Sequence, residues 1–140
     1  MSIVSEVQKI VSQALNTLYG LVLDERQIPV NETKPEFEGD LTVVLFGLSK
    51  ELRRNPQQLG EELGQQLTAQ PDGLISAYNQ IKGFLNLTIS DAYWLRFIRE
   101  QAANERFGQF APNGRKVMVE YSSPNTNKPL HLGHLRNNFL

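Results

Sequence analysis

Two histidines near the C-terminal end of the sequence could bind a nucleotide. His131 and His134 stand three residues apart, a spacing that places both imidazoles on one face of a helix. Gly133 between them leaves room for a flat base or a ribose to approach the backbone. Lys128, just upstream, adds a compact positive charge. The two histidines, the glycine and the lysine together predict a site for a phosphate-bearing ligand.

The elements that must position this site are a strand, a polar loop and the start of a helix. Apolar side chains alternate with others from residue 117 to 121, which predicts a strand that runs directly into the loop. Nucleotide sites are often built where such a loop presents phosphates to a helix N-terminus. Residues 111–140 carry a net charge of +3, whereas residues 1–110 carry −4. The basic end of the chain therefore coincides with the predicted site.

These residues resemble the first signature of the class I aminoacyl-tRNA synthetases, the HIGH motif, written here as His131-Leu132-Gly133-His134. The longer run Ser-Ser-Pro-Asn-x-x-Lys-Pro-x-His-x-Gly-His-Leu-Arg, from Ser122 to Arg136, is similar to the arginyl-tRNA synthetase version of that motif. The resemblance implies a ligase of protein biosynthesis that activates arginine with ATP and transfers it to tRNA. It also implies that tRNA must be bound for the first step.

Within this resemblance, His131 and His134 donate hydrogen bonds to the ATP phosphates, and Lys128 neutralises phosphate charge. The implied ATP site comprises His131, Gly133, His134 and Lys128, with Mg²⁺ as the counter-ion of the nucleotide. A surface helix with two solvated histidines is the competing interpretation. A zinc site is another, but the sequence has no cysteine and no obvious third ligand nearby, so we expect no protein-bound metal.

The same resemblance implies that arginine is bound by Glu120, Ser122, Asn125 and His131. Asn125 matches a position that binds the main-chain groups of the amino acid, and Glu120 matches an acidic residue that lines the arginine pocket. Ser122 shapes the loop and offers backbone groups to the substrate. Two alternatives stay open: Pro-Asn is an ordinary turn dipeptide, and Glu120 could lie on an exposed strand edge.

Four helices are predicted in residues 1–110 from the spacing of apolar residues. The first covers residues 2–19 and ends at Gly20. The second covers residues 41–52 with Asp40 as its N-cap, although Thr42-Val43-Val44 has strand propensity. The third begins at Asn55-Pro56, and Ser90-Asp91 caps the last.

Two strands have the clearest sequence signals in the first domain, and residues 21–30 are predicted as a short strand pair or an extended loop. Residues 74–81 and 84–89 have the composition and alternation of strands, and Lys82-Gly83 marks the turn between them. Residues 107–114, with two glycines and a proline, have the composition of a linker. The predicted fold class is α+β: a domain over 1–110 with a small antiparallel sheet and packed helices. Residues 111–140 then form the first βα piece of a Rossmann-like catalytic domain.

The first domain resembles the N-terminal additional domain of arginyl-tRNA synthetases, through Gly39-Asp40, Pro56 and Gly83-Phe84-Leu85-Asn86. The resemblance implies docking to the D-loop at the tRNA elbow, where Phe84 and Asn86 match an aromatic-x-amide pair that contacts a base. An aromatic ring can stack on a splayed base and an amide can read its edge. Both residues fall on the strand face opposite the apolar one. In the alternative, Phe84 packs under the last helix.

Composition limits the remaining function classes. The absence of cysteine fits a reducing cytoplasm, and we predict a cytoplasmic protein. No apolar run approaches the roughly 20 residues of a membrane span, and no signal peptide is recognisable. Because residues 1–110 are acidic overall, we expect contacts with RNA to be local rather than a general charge attraction.

The sequence ends shortly after the histidine motif, before any second lysine motif of the class. We therefore expect a truncated, catalytically inactive part of a monomeric parent, able to self-associate through residues 111–140. Its apolar side chains there should have little to cover them. Two alternatives remain: a freestanding tRNA-binding module with a vestigial nucleotide motif, and another nucleotidyltransferase that shares only His-x-Gly-His.

Overall fold

The computed structural model describes residues 2–69, 73–119, 124 and 127–139. The chain divides into two compact units, Met1–Glu105 and Arg106–Leu140. The division falls a few residues before the domain boundary predicted at residue 110. Within the described ranges, no helix is long and apolar enough to cross a membrane.

The first unit is built on a four-stranded antiparallel sheet with the strand order β1-β2-β4-β3. Its strands are β1 Val30–Glu32, β2 Leu41–Val44, β3 Ile75–Ile81 and β4 Phe84–Ile89. The hairpin between β3 and β4 turns at Lys82 and Gly83, whose φ angles are 47° and 85°. Such left-handed pairs match the twist of antiparallel strands. The predicted hairpin and the α+β class with a small antiparallel sheet are confirmed.

Helices complete both units, and the caps predicted at Gly20, Asn55 and Ser90 are confirmed. They are α1 Ile3–Tyr19, α2 Phe46–Leu52, α3 Pro56–Thr68, α4 Asp91–Ala102 and, in the second unit, α5 Leu132–Asn138; a 3-10 turn lies at Glu25–Gln27. Gly20 ends α1 with a left-handed φ of 67°. The side chains of Asn55 and Ser90 accept backbone N–H bonds at the starts of α3 and α4.

One apolar cluster joins the helices to the sheet. Helices α1 and α3 contribute their apolar stripes to it, and the strands contribute the alternate residues that face them. The largest fully buried side chains are Val7, Val11, Leu15, Ile28, Val43, Leu45, Leu59, Leu63, Leu85 and Leu87. The strand face that lies opposite this core is therefore left for other contacts.

The predicted helix over residues 41–52 is wrong in its first half. Residues 41–44 form β2 between β1 and β4, and only Phe46–Leu52 is helical. Asp40 is consequently not a helix cap: its Oδ2 accepts a 2.7 Å hydrogen bond from the backbone N–H of Ile89 on β4. The β-branched Thr42-Val43-Val44 follows its strand propensity because two neighbouring strands are available to pair with it.

The predicted strand over residues 117–121 is also wrong where the structure describes it. Residues 115–119 are irregular, and Tyr121 lies outside the described residues. No strand of the described ranges pairs with this segment, so its backbone has no ladder to join. The expected exposure is confirmed, since Val117 and Val119 are 78% and 76% exposed and Leu132, Leu135 and Phe139 are exposed as well.

Candidate functional site

A groove on the sheet face opposite the core contains both residues predicted to contact tRNA. Its volume is about 310 Å³. Most of the surface inside the groove is apolar, although its lining includes polar and charged residues. The lining comes from all four strands, the β1–β2 loop and the β3–β4 turn: Asn31, Glu32, Lys34, Phe37, Thr42, Val44, Ile81, Lys82, Phe84 and Asn86. Phe84 and Asn86 share this face because alternate residues of a strand point the same way. The structure thus brings the predicted pair together.

Phe84 forms an aromatic wall of the groove. Its side chain is 41% exposed. The ring meets that of Phe46 on α2 edge to face, with centroids 5.3 Å apart and planes at 87°. In the alternative interpretation, Phe84 packs under the last helix of the first domain, which is α4. The observed partner Phe46 belongs to α2, so the structure does not match this alternative. Because the side chain is only partly covered, part of it remains available to another flat group.

Asn86 lies at the floor of the groove and is only 3% exposed. Its Oδ1 accepts a 2.7 Å hydrogen bond from the hydroxyl of Thr42, the residue paired with it across β2 and β4. The hydroxyls of Thr42 and Thr33 lie 2.9 Å apart. No described residue accepts a hydrogen bond from the Nδ2 group of Asn86, so its amide donors remain for a ligand in the groove.

The β1–β2 loop forms a further wall of the groove and is hydrogen-bonded to β4. The backbone N–H of Asp40 donates a 2.8 Å bond to the carbonyl of Leu87. Gly39, with φ 118°, sits so close that an added Cβ would be 3.1 Å from Cβ of Asn86 and 3.3 Å from the Leu87 backbone. Gly39-Asp40 therefore anchors this loop to β4, and its predicted role as the start of a helix is wrong.

Sequence reasoning missed most of this groove. The apolar spacing predicts a helix at Thr42 and Val44, although these residues pair in register with Asn86 and Phe84. Phe37 and Lys34 lie in the β1–β2 loop, which has no sequence pattern of its own, and the sequence indicates only a turn at Lys82. The one available signal was the strand propensity of Thr42-Val43-Val44.

The second candidate site is the helix start at His131, in the other unit. His131 is the N-cap of α5, and its Nδ1 accepts a 3.1 Å bond from the backbone N–H of Gly133. The backbone N–H of His131 donates a 3.1 Å bond to Nδ1 of His134. The ring centroids are 4.1 Å apart, so the structure brings the two imidazoles together on one face, as the spacing predicts.

These bonds determine what the imidazoles can offer to a ligand. A ring nitrogen that accepts an N–H bond carries no proton, so the proton of the neutral ring sits on Nε2. Both histidines therefore present an Nε2–H donor. Gly133 has a role that the sequence did not reveal: an added Cβ would lie 2.8 Å from Cε1 of the His131 ring. A side chain at position 133 would push that ring out of its capping position.

The remaining predicted site residues are not assembled by the described structure. Lys128 is exposed in the turn before His131, without a hydrogen bond or ion pair to another described residue. Glu120, Ser122 and Asn125 lie outside the described residues. Across the parts of the chain that are described, no three His, Cys, Asp or Glu side chains cluster as ligands for a metal ion.

Comparisons with known proteins cover the whole chain. Residues 5–89 match the family of the arginyl tRNA synthetase N terminal domain. Residues 98–140 match the class I (R) tRNA synthetase catalytic domain. The chain is 44% identical to the arginine–tRNA ligase of Bacteroides thetaiotaomicron and 45% identical to that of Porphyromonas gingivalis, in each case over 100% of this chain and 24% of the relative.

A solved structure gives the same result. The Thermus thermophilus arginyl-tRNA synthetase superposes with a TM-score of 0.54 at 32% identity, over 94% of this chain and 21% of that one. The chain thus spans about a quarter of the length of the relatives that it matches. The match to the N-terminal domain family, the match to the catalytic domain family and the solved structure agree. The chain belongs to the arginyl-tRNA synthetase family.

Proposed function

We propose that this chain supplies the tRNA-docking domain and the first nucleotide-binding motif of an arginine–tRNA ligase. Residues 1–110 form the docking domain and residues 111–140 open the catalytic domain. The observation that carries the proposal is the order of the two family matches, an N-terminal domain followed directly by a catalytic segment. That order supports a part of an enzyme over a freestanding tRNA-binding module. Its partners are arginine-accepting tRNA, ATP and L-arginine, and it acts in the cytoplasm.

The groove around Phe84 takes an unstacked base from the tRNA D-loop. The exposed face of Phe84 stacks on the base, and the Nδ2 group of Asn86 donates to its edge. Lys34 and Lys82, which also line the groove, are placed to neutralise flanking phosphates. A site of this kind binds through shape and a few charges, which suits an acidic domain.

The histidine motif binds the phosphates of ATP, with Mg²⁺ as counter-ion of the nucleotide. The Nε2–H groups of His131 and His134 are the donors, and Lys128 adds a point charge from the preceding turn. Such donors accelerate adenylation by stabilising negative charge as pyrophosphate departs. Arginine is bound by Glu120, Ser122, Asn125 and His131. The parent enzyme works as a monomer, and the 140-residue chain self-associates through residues 111–140.

Binding of an arginine tRNA transcript by the chain tests the docking role. Phe84→Ala and Asn86→Ala should each weaken binding about 5- to 100-fold, the range for loss of one stacked or hydrogen-bonded base. The measurement is a titration at two salt concentrations. The loss should persist at the higher salt, because stacking and amide contacts depend little on counterions.

Trp94→Ala is the matched control for this experiment. Trp94 is 40% exposed, like Phe84, but lies on α4 and does not line the groove. The Trp94→Ala chain should bind tRNA with the same affinity as the unmodified chain. If all three variants bind equally well, or if binding shows no preference for arginine tRNA over another tRNA, the docking role of the groove is wrong.

A further inference from the structure

The hydrogen bonds at the groove floor point to a device that sets base specificity. Thr42 donates to Oδ1 of Asn86 across 2.7 Å, and the hydroxyl of Thr33 lies 2.9 Å from that of Thr42. A threonine hydroxyl has one proton. Since Thr42 gives its proton to Asn86, Thr33 must be the donor in the bond between the two threonines. The chain of bonds therefore runs in one direction, from Thr33 to Asn86.

In the structure, the hydrogen bond from Thr42 goes to the oxygen end of the Asn86 amide. The oxygen and nitrogen ends of an asparagine amide have nearly the same shape, so only their hydrogen bonds choose between the two orientations. With Oδ1 turned to Thr42, the Nδ2 donors are left for the ligand. Thr42 and Asn86 are only 8% and 3% exposed, which leaves little access for water to replace the threonine.

We propose that Thr42, itself oriented by Thr33, is a specificity-positioning residue that fixes the Asn86 amide with its donor toward the base. This inference rests on the proposed function, in which the groove takes a D-loop base. A fixed donor favours bases that place an acceptor opposite it. An amide free to flip presents either a donor or an acceptor and tolerates more bases. Loss of Thr42 should therefore reduce discrimination between bases more than it reduces affinity for all of them.

A panel of arginine tRNA transcripts tests this, each with one unpaired D-loop nucleotide changed to the other three bases. The unmodified chain should discriminate at one nucleotide. Thr42→Val keeps the side-chain shape but removes the hydroxyl donor. It should reduce the spread at that nucleotide, meaning the ratio of the strongest to the weakest affinity among the four bases, about fivefold, as expected for one hydrogen bond. Thr42→Ser retains the hydroxyl and should restore the spread.

The outcomes separate this inference from the proposed function. If the unmodified chain discriminates at no D-loop nucleotide, both are wrong. If it discriminates, and folded Thr42→Val retains the full spread, only the positioning role fails. Should Thr42→Val not fold, Thr33→Val breaks the relay one bond earlier. A folded Thr33→Val chain must then show a narrowed spread, and an unchanged spread overturns the inference.

Discussion

Gly64 of α3 lies directly against the aromatic ring of Tyr78 on β3. An added Cβ at position 64 would stand 2.3 Å from Cδ2 and 2.5 Å from Cγ of that ring, far inside any normal contact. The hydroxyl of Tyr78 then donates a 2.6 Å bond to Oε1 of Glu61 on the same helix. Helix α3 can approach the sheet this closely only because residue 64 has no side chain.

Gly64→Ala should therefore destabilise the chain. In an open helix this change stabilises by up to about 1 kcal/mol, because alanine has the higher helix propensity. Here the overpacked methyl must displace the Tyr78 ring or the helix, and we expect a net loss of about 1–3 kcal/mol in the free energy of unfolding. Urea titration followed by circular dichroism measures it.

Gly47→Ala is the control, because a Cβ at position 47 in α2 meets nothing within 4 Å. It should leave the free energy of unfolding unchanged or slightly raised. Combining Gly64→Ala with Tyr78→Ala should recover part of the loss, since the clashing ring is gone. A Gly64→Ala chain as stable as the Gly47→Ala chain would show that α3 does not depend on this contact.

Asp40→Ala should cost about 2 kcal/mol in the free energy of unfolding, because it removes a charge-assisted acceptor from the part-buried backbone N–H of Ile89. Asp40→Asn keeps an acceptor oxygen and should lose less. Asp24→Ala provides a comparison, since Asp24 accepts a backbone N–H bond from Arg26 in an exposed turn. Thermal unfolding of the three variants measures these losses. Equal losses of unfolding free energy for Asp40→Ala and Asp24→Ala would contradict a special role for the Asp40–Ile89 bond.

Stability should fall in alkaline solution. Burial and the hydrogen bond to the Glu62 carboxylate raise the pKa of Tyr19 to about 12. Burial, with the charge of Glu6 beside it, also raises the pKa of Tyr93. A tyrosine whose folded-state pKa exceeds the ordinary value of 10.0 holds its proton longer in the folded than in the unfolded chain. Its contribution is complete below about pH 10 and is lost as the pH rises toward 12.

Urea unfolding at a series of pH values from 9 to about 11.5 checks this expectation. The free energy of unfolding should decline above pH 10, and Tyr19→Phe should decline less steeply because it removes one of the titrating groups. A Tyr19→Phe curve parallel to that of the unmodified chain would exclude the tyrosine as a source of the decline.

The 140 residues alone should not form arginyl-adenylate. They span about a quarter of the arginine–tRNA ligases that they match, so most of the residues of such an enzyme are absent from the assay. ATP–pyrophosphate exchange by the purified chain, with arginine and tRNA present, should equal the buffer blank. A signal that disappears in His134→Ala would contradict this expectation, because it would show catalysis by this motif without the rest of the enzyme.

The histidine motif can be tested in a chimera that places residues 1–140 before the remainder of the Bacteroides thetaiotaomicron ligase. His131→Ala and His134→Ala should each lower kcat for exchange about 100-fold or more, as loss of a transition-state donor does. Gly133→Ala should act in the same direction, because its Cβ would displace the His131 ring. Arg136→Ala, on the same helix, is the control. Unchanged kcat in both histidine variants would remove the motif from the mechanism.

The sequence by itself determined the elements whose signals are local. Helix α1 with Gly20, the Asn55-Pro56 start of α3 and the Lys82-Gly83 hairpin depend on residues within a few positions of each other. The pairing of His131 with His134 is local in the same sense. The family resemblance also rested on a contiguous run of residues, and the comparisons confirm it.

Only the tertiary structure decided the features that need partners distant in sequence. Residues 41–44 became a strand because β1 and β4 stand on either side of them, while residues 115–119 found no strand to pair with in the described ranges. The groove is assembled from segments more than 40 residues apart, as the Thr42–Asn86 bond shows. Periodicity reports which face of an element is apolar, but the hydrogen-bond partner of a strand or an amide is set by what folds against it.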